Sequence, residues 1–390
     1  MNLENSNILI ASGFAAPYGG NFILMLKALA KELVIKYNSR VFFLFPKQED
    51  SLWQQQLKEE YTVFYTNGAY KEIRNQLIEI INRFNIHLVH THFEYYDIVV
   101  AKAIHYCKKD VKMIWHLHDN LTLNVKYPSP TWLNKLKRHL RFWLQYGFWG
   151  RNAFFIGVSA EVTHFATHYR KNIFSFPSFF LEKDYKRKYY PYAEVVINGI
   201  DTNRIKNYIK KKNKNIPCFI SFGGDAYRKG ISTIFDAAKI LQNDNLEFKI
   251  IVSKGYTLPE LLETYFGDIR PEWLKVVEQT DDISSLFNEC DAYISAAFAE
   301  TMSMGIAEAS IFGLPIIQSN IPGTLWNSDT PSSYLFKVGD PVSLAEQMKN
   351  VLNIDKELLE RQCKISSQMN RERLDMKLWC ENIIRIYKKI

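Results

Sequence analysis

The sequence predicts an α/β protein with two domains, each built on a parallel β-sheet that helices cover on both faces. Short apolar runs alternate with segments long enough for a helix, which is the pattern typical of such sheets. This alternation starts near Asn7, stops at a lysine- and asparagine-rich stretch after Asp201, and starts again at Cys218. A chain of 390 residues is long enough for two domains, each with its own core.

The first predicted domain covers residues 1–200. Its predicted strands are Asn7–Ser12, Arg40–Phe45, Tyr61–Tyr65, His87–Thr91, Val111–His116 and Val195–Ile197. The second predicted domain covers residues 201–370, and Lys210–Lys214 near its start is expected to be a solvated linker. Its predicted strands are Cys218–Phe222, Phe248–Val252, Leu274–Val277, Tyr293–Phe298 and Leu314–Ile317.

Residues 371–390 are predicted to form a C-terminal helix with one apolar stripe. The stripe consists of Trp379, Ile383, Ile386 and Tyr387. The stripe could pack on either of the two domains.

Composition excludes several classes of protein. Hydrophobic residues at 47% and aromatic residues at 14% exclude a disordered chain. Five scattered cysteines without CxxC spacing argue against a disulfide framework or zinc site, so we expect a reducing compartment. The amino terminus has no signal-peptide pattern and no long uncharged apolar run follows, so a cytoplasmic protein is predicted. A net charge of +8 favours anionic partners such as nucleotides or phospholipids.

The stretch Asp291–Trp326 carries two glutamates at the predicted crevice of the second sheet. Glu300 ends the loop after a strand, and Glu308 lies in the helix that follows. Ligands of such sheets bind beyond the carboxyl ends of the strands. The backbone amides near Ser303 and Met304 belong to the first turn of that helix, where they are available to a phosphate. The alternative is that both glutamates are ordinary surface charges.

A loop between Gly223 and Gly230 precedes another predicted helix. Arg228 and Lys229 place two cations at the helix start, a combination that suits a diphosphate. A solvated basic turn is the alternative. In the first domain, Gly19 and Gly20 lie where the first strand meets the first helix, so a ligand could approach the backbone there. A plain turn explains this glycine pair equally well, since neither GxGxxG nor a P-loop is present.

Histidines end two successive strands of the first domain. His90 and His92 end one, and His116 and His118 end the next. We expect His118, nearest the tip, to contact a ligand, and the other three to have structural roles. A metal cluster of all four is the competing hypothesis, although no ligand spacing typical of zinc enzymes supports it.

Two segments combine basic and aromatic residues. Thr131–Arg151 could lie in the interface of an anionic membrane, or it could be an ordinary packed helix. Lys183–Tyr192 could grip single-stranded nucleic acid, but no nucleic-acid-binding module surrounds it, so no nucleic-acid partner is expected.

Taken in order, these motifs resemble those of the retaining family 4 glycosyltransferases, two-domain enzymes of the GT-B fold. The resemblance covers nearly the whole chain. It rests on PYGGN, LVHTH, the HD of LHD, IGVSAEV, VVINGID, FGGD..RKG and the two glutamates separated by seven residues. It implies two Rossmann-like domains facing each other across a cleft, with a C-terminal helix crossing back.

The resemblance also implies roles for particular residues. Glu308 would bond the ribose of the nucleotide, and Glu300 with the following amides would hold the donor sugar. Lys229 would neutralise the leaving diphosphate, Gly20 would let the first loop close over the phosphates, and His118 would contact the sugar near the reacting carbon. No metal or other cofactor is expected, and no DxD pair is present.

The sequence departs from the family pattern at two places. The arginine usual after the glycine that opens the second-domain loop is Gly224 here, and we expect Arg228 to supply the missing cation. Glycines common after the first glutamate are Thr301 and Ser303 here, so the sugar pocket is expected to have a different shape.

The predicted function is transfer of a sugar from a nucleotide-sugar, expected to be a UDP-sugar, to a glycan or lipid-linked acceptor. Retention of anomeric configuration, a place in cell-surface polysaccharide synthesis and a location at the inner face of the cell membrane are implied. The alternatives are a catalytically silent partner of another transferase and a sugar-nucleotide epimerase on the same fold.

Overall fold

The computed structural model describes residues 1–16, 18–48, 51–107, 109–119, 132–171, 191–206 and 216–390. Pro17 of the first glycine loop, most of the basic-aromatic run Lys183–Tyr192 and the lysine run Lys210–Lys214 therefore lie outside the described residues. The described chain divides into two compact domains. The first extends to Gly199 and includes Met376–Ile390, and the second is formed by Ile200–Asp375.

The first domain is a parallel sheet flanked by helices. Its strands are β1 (Asn7–Ser12), β2 (Arg40–Pro46), β3 (Thr62–Thr66), β4 (Leu88–His92), β5 (Lys112–Leu117), β6 (Phe154–Gly157) and β7 (Ala193–Val195). Its helices are α1 (Gly20–Tyr37), α2 (Leu52–Glu60), α3 (Tyr70–Arg83), α4 (Asp97–Cys107), α5 (Trp132–Phe142) and α6 (Ala160–Lys171). Helix α5 continues as a π-helix, Trp143–Phe148, and a 3-10 turn, Trp149–Asn152.

The strands of this sheet lie in the order β3-β2-β1-β4-β5-β6-β7. Strands β2 and β3 lie on one side of β1, and β4 to β7 lie on its other side, so the strand order reverses between β1 and β4. Ligands of doubly wound sheets bind at such a point. The predicted strand Val195–Ile197 lies two residues too far along the chain, since β7 is Ala193–Val195. Strand β6, which fills the gap between β5 and β7, was not predicted from its short apolar run.

The second domain repeats this architecture with a sheet in the order β10-β9-β8-β11-β12-β13. Its strands are β8 (Cys218–Phe222), β9 (Lys249–Ser253), β10 (Leu274–Val277), β11 (Ala292–Ser295), β12 (Ile316–Ser319) and β13 (Ser333–Phe336). Its helices are α7 (Ile231–Asn243), α8 (Leu258–Phe266), α9 (Ile283–Asn288), α10 (Met304–Phe312), α11 (Pro341–Asn353) and α12 (Lys356–Arg373). Every strand pair in both sheets is parallel, which confirms the predicted fold class.

The C-terminal segment returns to the first domain as α13 (Met376–Lys389). Its apolar stripe is fully buried in the core formed with α1 and β1, as the fold class predicted; the stripe residues are Trp379, Ile383, Ile386 and Tyr387. The amino-terminal ammonium of Met1 donates to the carbonyl of Tyr387 at 3.1 Å, which ties the two chain ends together. No helix in the described part of the chain is long and apolar enough to cross a membrane.

Candidate active site

The cationic loop of the second domain is held in shape by glycine and by one carboxylate. Gly230 has a left-handed φ of +65°, and a Cβ there would stand 2.0 Å from the carbonyl oxygen of Ala296. Asp225 accepts hydrogen bonds from the backbone N–H of Arg228 at 3.4 Å and from the Thr257 hydroxyl at 3.3 Å. The loop therefore fixes Arg228 and Lys229 directly before α7.

Both cations of this loop meet the carboxylate of Glu300. The Lys229 ammonium donates to Glu300 Oε1, and Arg228 Nη1 lies 3.5 Å from Oε2. Arg228 also donates to the carbonyl oxygen of Ala299 at 3.0 Å. Glu300 is only 7% exposed, while its partners are about a third exposed or less. The carboxylate of Glu300 therefore meets both cations of the loop at once.

Burial alone would raise the pKa of Glu300. The ammonium of Lys229 and the guanidinium of Arg228 outweigh it, and they hold the pKa of Glu300 below its usual value. The carboxylate is therefore ionised at neutral pH. An ionised group can accept hydrogen bonds from sugar hydroxyls, which suits a donor-sugar contact better than a protonated acid does.

The amino terminus of α10 follows Glu300 by one short loop. Ser303 is the N-cap residue, and its hydroxyl makes no cap hydrogen bond. The Ser303 Oγ is buried and has no hydrogen-bond partner among the residues that the structure describes. Gly305 lies so close to the Tyr293 hydroxyl that a Cβ would stand 2.1 Å away. A buried hydroxyl without a protein partner, at a helix amino terminus, is the place where an anionic ligand would bind.

Glu308 lies one helical turn further along α10 and is 7% exposed. Arg204 Nη1 donates to Glu308 Oε1 at 2.6 Å, and its Nη2 donates to the carbonyl of Asp281 at 3.4 Å. Burial raises the pKa of Glu308, and Arg204 offsets only part of that effect. Arg204 was not predicted as a site residue, because it begins a lysine-rich stretch that indicated a linker. Only the fold brings it to a glutamate 104 residues away.

Two glycines, Gly223 and Gly224, directly follow β8, and the first packs closely against the backbone at the end of β9. Gly223 donates its N–H to the carbonyl of Ser253 at 3.1 Å, and a Cβ would stand 2.1 Å from that oxygen. Gly224 has a φ of +46°, a left-handed conformation in which arginine would be strained. Arg228 of the same loop reaches the carboxylate of Glu300, at 3.5 Å from Oε2.

The glycine pair of the first domain begins α1. Gly19 packs against Ile23 and Trp53, so a Cβ there would stand 3.1 Å from the Ile23 Cβ. Gly20 has a φ of +52°, and among the described residues a Cβ there would meet the Tyr18 ring alone, at 3.8 Å. The next residue, Asn21, is buried and donates to the carbonyl of Gly199 at 2.7 Å, which anchors the loop on that side.

The strand-end histidines of the first domain form a stack of four imidazoles. His90, His92 and His116 are buried, and His118 is half-buried at the end of the stack. Neighbouring ring centroids are 4.2 Å apart for His90 and His92 and 4.4 Å apart for His116 and His118. At the inner end, His90 Nδ1 lies 2.6 Å from the Tyr387 hydroxyl of α13.

His118 is held between this stack and two phenylalanines. Its ring centroid lies 5.6 Å from that of Phe22, edge to face, and 4.8 Å from that of Phe93. Its Nε2 lies 3.0 Å from Nδ1 of His92. Burial lowers the pKa of His118 to about 3, so the ring is neutral at physiological pH.

The structure brings the four histidines together, as the hypothesis of a cluster at the two strand ends requires. Ligand nitrogens of His90, His92 and His116 lie within 4.8 Å of one another. Zn–N bonds of about 2.0–2.1 Å in a tetrahedral site bring nitrogens to roughly 3.4 Å from one another. The ring planes of His90 and His116 are nearly parallel, with 3° between them, whereas His92 is tilted by 33° to His90 and by 32° to His116.

Comparison with known proteins gives one family match and many structural similarities. Residues 216–353 match the family described as Glycosyl transferases group 1. The glycosyltransferase of Rickettsia africae ESF-5 superposes with a TM-score of 0.73 at 16% identity, over 99% of this chain and 98% of that one. Anabaena Alr3699/HepE, solved in complex with UDP and glucose, gives 0.74 at 15% identity, over 99% and 100%.

Sucrose-phosphate synthase from Thermosynechococcus elongatus gives a TM-score of 0.71 at 12% identity, over 98% of both chains. No curated protein matches the sequence. At these identities the structural similarity establishes the fold, which is GT-B.

The family match covers the domain that holds Arg228, Lys229, Glu300 and Glu308, and the fold similarity covers the whole chain. Residues 216–353 of the second domain match the group 1 family, and the protein is a glycosyltransferase of the GT-B type. The predicted enzyme class is confirmed.

Proposed function

We propose that this glycosyltransferase is a retaining enzyme of family 4 that moves a sugar from a UDP-sugar to a glycan or lipid-linked acceptor. The observation that carries the proposal is the cluster of Arg228 and Lys229 around the buried carboxylate of Glu300, beside the amino terminus of α10. UDP is the proposed nucleotide because the Anabaena protein of the same fold binds UDP and glucose.

In this proposal each group of the second domain has one task. Glu308 accepts hydrogen bonds from the ribose hydroxyls, and Arg204 keeps its carboxylate ionised and oriented. The diphosphate binds to Lys229 and Arg228 and to the amides and hydroxyl at Ser303 and Met304. The tight packing of Gly223 against Ser253 places the cationic loop beside the phosphates, and Glu300 accepts hydrogen bonds from hydroxyls of the donor sugar.

The reaction breaks the bond between the anomeric carbon and the β-phosphate oxygen. The diphosphate leaves with the bonding electrons, and the two loop cations stabilise its growing negative charge. The acceptor hydroxyl attacks from the face that the leaving group vacates, so configuration is retained. Its proton passes to the leaving phosphate oxygen, and no covalent enzyme intermediate is needed.

The first domain contributes His118 and the loop at Gly19 and Gly20. A neutral imidazole held by Phe22 and Phe93 offers a fixed hydrogen-bonding group to the donor sugar near its reacting carbon. The space beside Gly20 lets backbone approach the phosphates. We also propose that the protein's own cations do the work that a divalent metal does in other transferases, so that chelation leaves the rate unchanged.

The test begins with binding. UDP-, GDP- and ADP-sugars are screened for protection against thermal unfolding, and affinities are then measured by calorimetry. We expect protection by UDP-sugars, and Lys229→Ala should weaken UDP binding by about tenfold or more, since a charge-assisted hydrogen bond contributes about 1.5–3 kcal/mol. Lys239→Ala is the matched control, because Lys239 is an exposed lysine of α7 that pairs only with Asp236 among described carboxylates. Absence of binding by every nucleotide would overturn the proposal.

Turnover separates the remaining alternatives. A transferase releases UDP faster when an acceptor is present, an epimerase changes the donor sugar without any acceptor, and a silent partner protein binds the donor without turning it over. Anomeric analysis of the product then tests retention. Activity in the presence of EDTA tests whether a metal is needed.

A second proposal concerns where the enzyme works. We propose that α5 and the turns after it dock on an anionic membrane, at the inner face of the cell membrane where lipid-linked precursors of surface polysaccharides are built. The outward side of this segment is apolar; its exposed residues are Trp132 (73%), Leu133 (53%), Leu140 (50%), Leu144 (45%) and Phe148 (45%). We call this set the α5 patch.

The α5 patch has the two features of a membrane-interface helix. Leu133, Leu140 and Leu144 are seven and four residues apart, so they lie on one helical face. Lys137 and Arg138 are exposed beside them, while His139 and Phe142 face the core. Apolar side chains can enter the acyl boundary while the cations meet lipid phosphates.

Vesicle flotation tests this docking. A cation near an anionic bilayer contributes about 1 kcal/mol, so Lys137→Gln with Arg138→Gln should weaken binding by roughly 30-fold. The control pair is Lys356→Gln with Arg361→Gln, two exposed cations of α12 beside the exposed Leu358. Equal binding to neutral and anionic vesicles, or equal loss in both double variants, would contradict the proposal.

A further inference from the structure

Two thiols of the second domain lie against each other, at the end of the sheet opposite the candidate site. Cys218 is the first residue of β8, and Cys290 stands two residues before β11. Their Sγ atoms are 3.7 Å apart, although the residues are 72 positions apart in the sequence. Both residues are buried, and both carry a thiol in this structure. The fold therefore brings together two cysteines that the sequence shows only as scattered.

Strand pairing holds the two thiols in place. Strands β8 and β11 are neighbours in the sheet, with Phe219 opposite Ala292. The N–H of Asp291 donates to the carbonyl of Cys218 at 2.6 Å, and the N–H of Cys218 donates to the Asp291 carboxylate at 2.8 Å. Cys290 directly precedes Asp291. The separation of the two sulfurs is therefore set by the parallel sheet and not by a loop.

The backbone geometry of this pair suits a disulfide. Neighbouring strands lie about 4.8 Å apart, and Cys290 is one residue away from the residue opposite Cys218, so the two Cα atoms are roughly 6 Å apart. Disulfides join Cα atoms that are about 4.4–6.8 Å apart, with a sulfur–sulfur bond of about 2.0 Å. Rotation about the two Cα–Cβ bonds brings the sulfurs from contact to bonding distance while the strands stay paired.

We propose that Cys218 and Cys290 are a redox modification site, which a peroxide converts to a disulfide. One thiolate attacks a peroxide oxygen, the O–O bond breaks, and a sulfenic acid and water result. The second sulfur attacks the sulfenic sulfur, the S–S bond forms and hydroxide leaves as water. In total the two thiols lose two protons and two electrons, and the peroxide is reduced to two water molecules. Two molecules of a small thiol reverse the bond by exchange and become a disulfide themselves.

The bond would cross-link the two strands that lead to the candidate site. Strand β8 runs into the loop that carries Arg228 and Lys229, and β11 runs toward Glu300. The thiols lie at the amino ends of these strands, beside the exposed Asp291, where a small oxidant reaches them from solvent. A cross-link between distant positions restricts the unfolded chain, so it stabilises the folded domain. The carboxyl ends, where the donor is proposed to bind, stay as they are.

Peptide mapping tests the modification. The folded full-length protein is treated with hydrogen peroxide, remaining thiols are blocked with N-ethylmaleimide, and peptides are mapped by mass spectrometry without reduction. We expect one peptide pair joined through Cys218 and Cys290, which dithiothreitol separates. The pair should be absent in Cys218→Ala and retained in Cys363→Ala, which removes a buried thiol of α12 in the same domain. Cys107 is only partly buried and reports that the oxidant acted, so its oxidation without the joined pair would overturn the inference.

Calorimetric unfolding supplies the second measurement. Peroxide should raise the unfolding midpoint of the second domain by about 5–10 °C in the wild type and leave it unchanged in Cys218→Ala. Cys290→Ala gives the same comparison should Cys218→Ala fold poorly. A joined pair with an unchanged or lower midpoint, or with UDP affinity reduced by about tenfold, would contradict a stabilising cross-link that spares the site. Mapping and unfolding need no nucleotide, so a protein that binds no UDP would refute the proposed function and leave this result standing.

Discussion

Acidification should destabilise the first domain through its histidine stack. His90, His92 and His116 are fully buried, and burial lowers the pKa of His90 to about 3 and those of the other two well below the usual value. In the unfolded chain each titrates near 6.5. Below that pH the unfolded chain binds protons that the folded domain does not. The contribution of these rings is therefore complete above about pH 6.5 and is lost progressively as the pH falls.

The size of the effect follows from counting protons. Each such imidazole changes the free energy of unfolding by about 1.4 kcal/mol per pH unit, so three give about 4 kcal/mol. Asp97 acts in the opposite sense, because burial raises the pKa of its carboxyl well above the usual value. The folded domain keeps that proton while the unfolded chain releases it, which offsets about 1.4 kcal/mol per unit. The net loss of the first domain from pH 6 to pH 5 should be roughly 2–3 kcal/mol, a large part of the 5–15 kcal/mol typical of domains.

Native-state hydrogen exchange with mass spectrometry can follow each domain separately. All nine histidines of the chain lie before residue 169, in the first domain, so β8 and β11 of the second domain serve as an internal reference. The opening free energy of β4 and β5 should fall steeply with pH while that of the reference strands changes little. His116→Leu should reduce the slope by about 1.4 kcal/mol per unit. Equal slopes in the two domains, or an unchanged slope in the variant, would refute the reasoning.

Three further outcomes follow from the structure. Arg204→Ala leaves the carboxylate of Glu308 buried without its ion-pair partner, so calorimetry should show weaker UDP binding and urea unfolding a loss of about 3 kcal/mol. Gly230→Ala should destabilise the second domain by more than the roughly 1–2 kcal/mol of a left-handed alanine, because its Cβ would clash with a carbonyl oxygen. Gly267→Ala is its control, since that site has a φ of +53° and nothing within 4 Å. Trp379→Ala should cost about 3–5 kcal/mol in thermal unfolding of the first domain, and a loss near zero would contradict the packing of α13.

Much of the candidate site could be predicted because its residues are close together in sequence. Arg228 and Lys229 stand in one loop, and Glu300, Ser303 and Glu308 stand in one strand-loop-helix unit. Hydrophobic periodicity placed these units at the carboxyl edge of a parallel sheet, where the chain has little freedom to place them otherwise.

Other features depend on residues far apart in the chain. The sequence indicated neither that Arg204 pairs with Glu308 nor that Tyr387 meets His90, since these contacts join segments 104 and 297 residues apart. Strands β6 and β13 were missed because short runs become strands only when a neighbouring strand supplies hydrogen-bond partners. The sequence placed the four histidines at two strand ends but did not determine that their rings would stack, because strand register is set by the whole sheet.

By itself, the sequence determined most of the elements and which chemical groups stand at their ends, because periodicity, glycine and charge act over a few neighbouring residues. The tertiary structure decided which of those groups meet. It paired Glu308 with Arg204 and Glu300 with two cations, stacked the four imidazoles and left the Ser303 hydroxyl without a hydrogen-bond partner among the described residues. The physical reason is that pKa values, ion pairs and tautomers depend on distances across the fold, which packing and strand register fix only when the chain is folded.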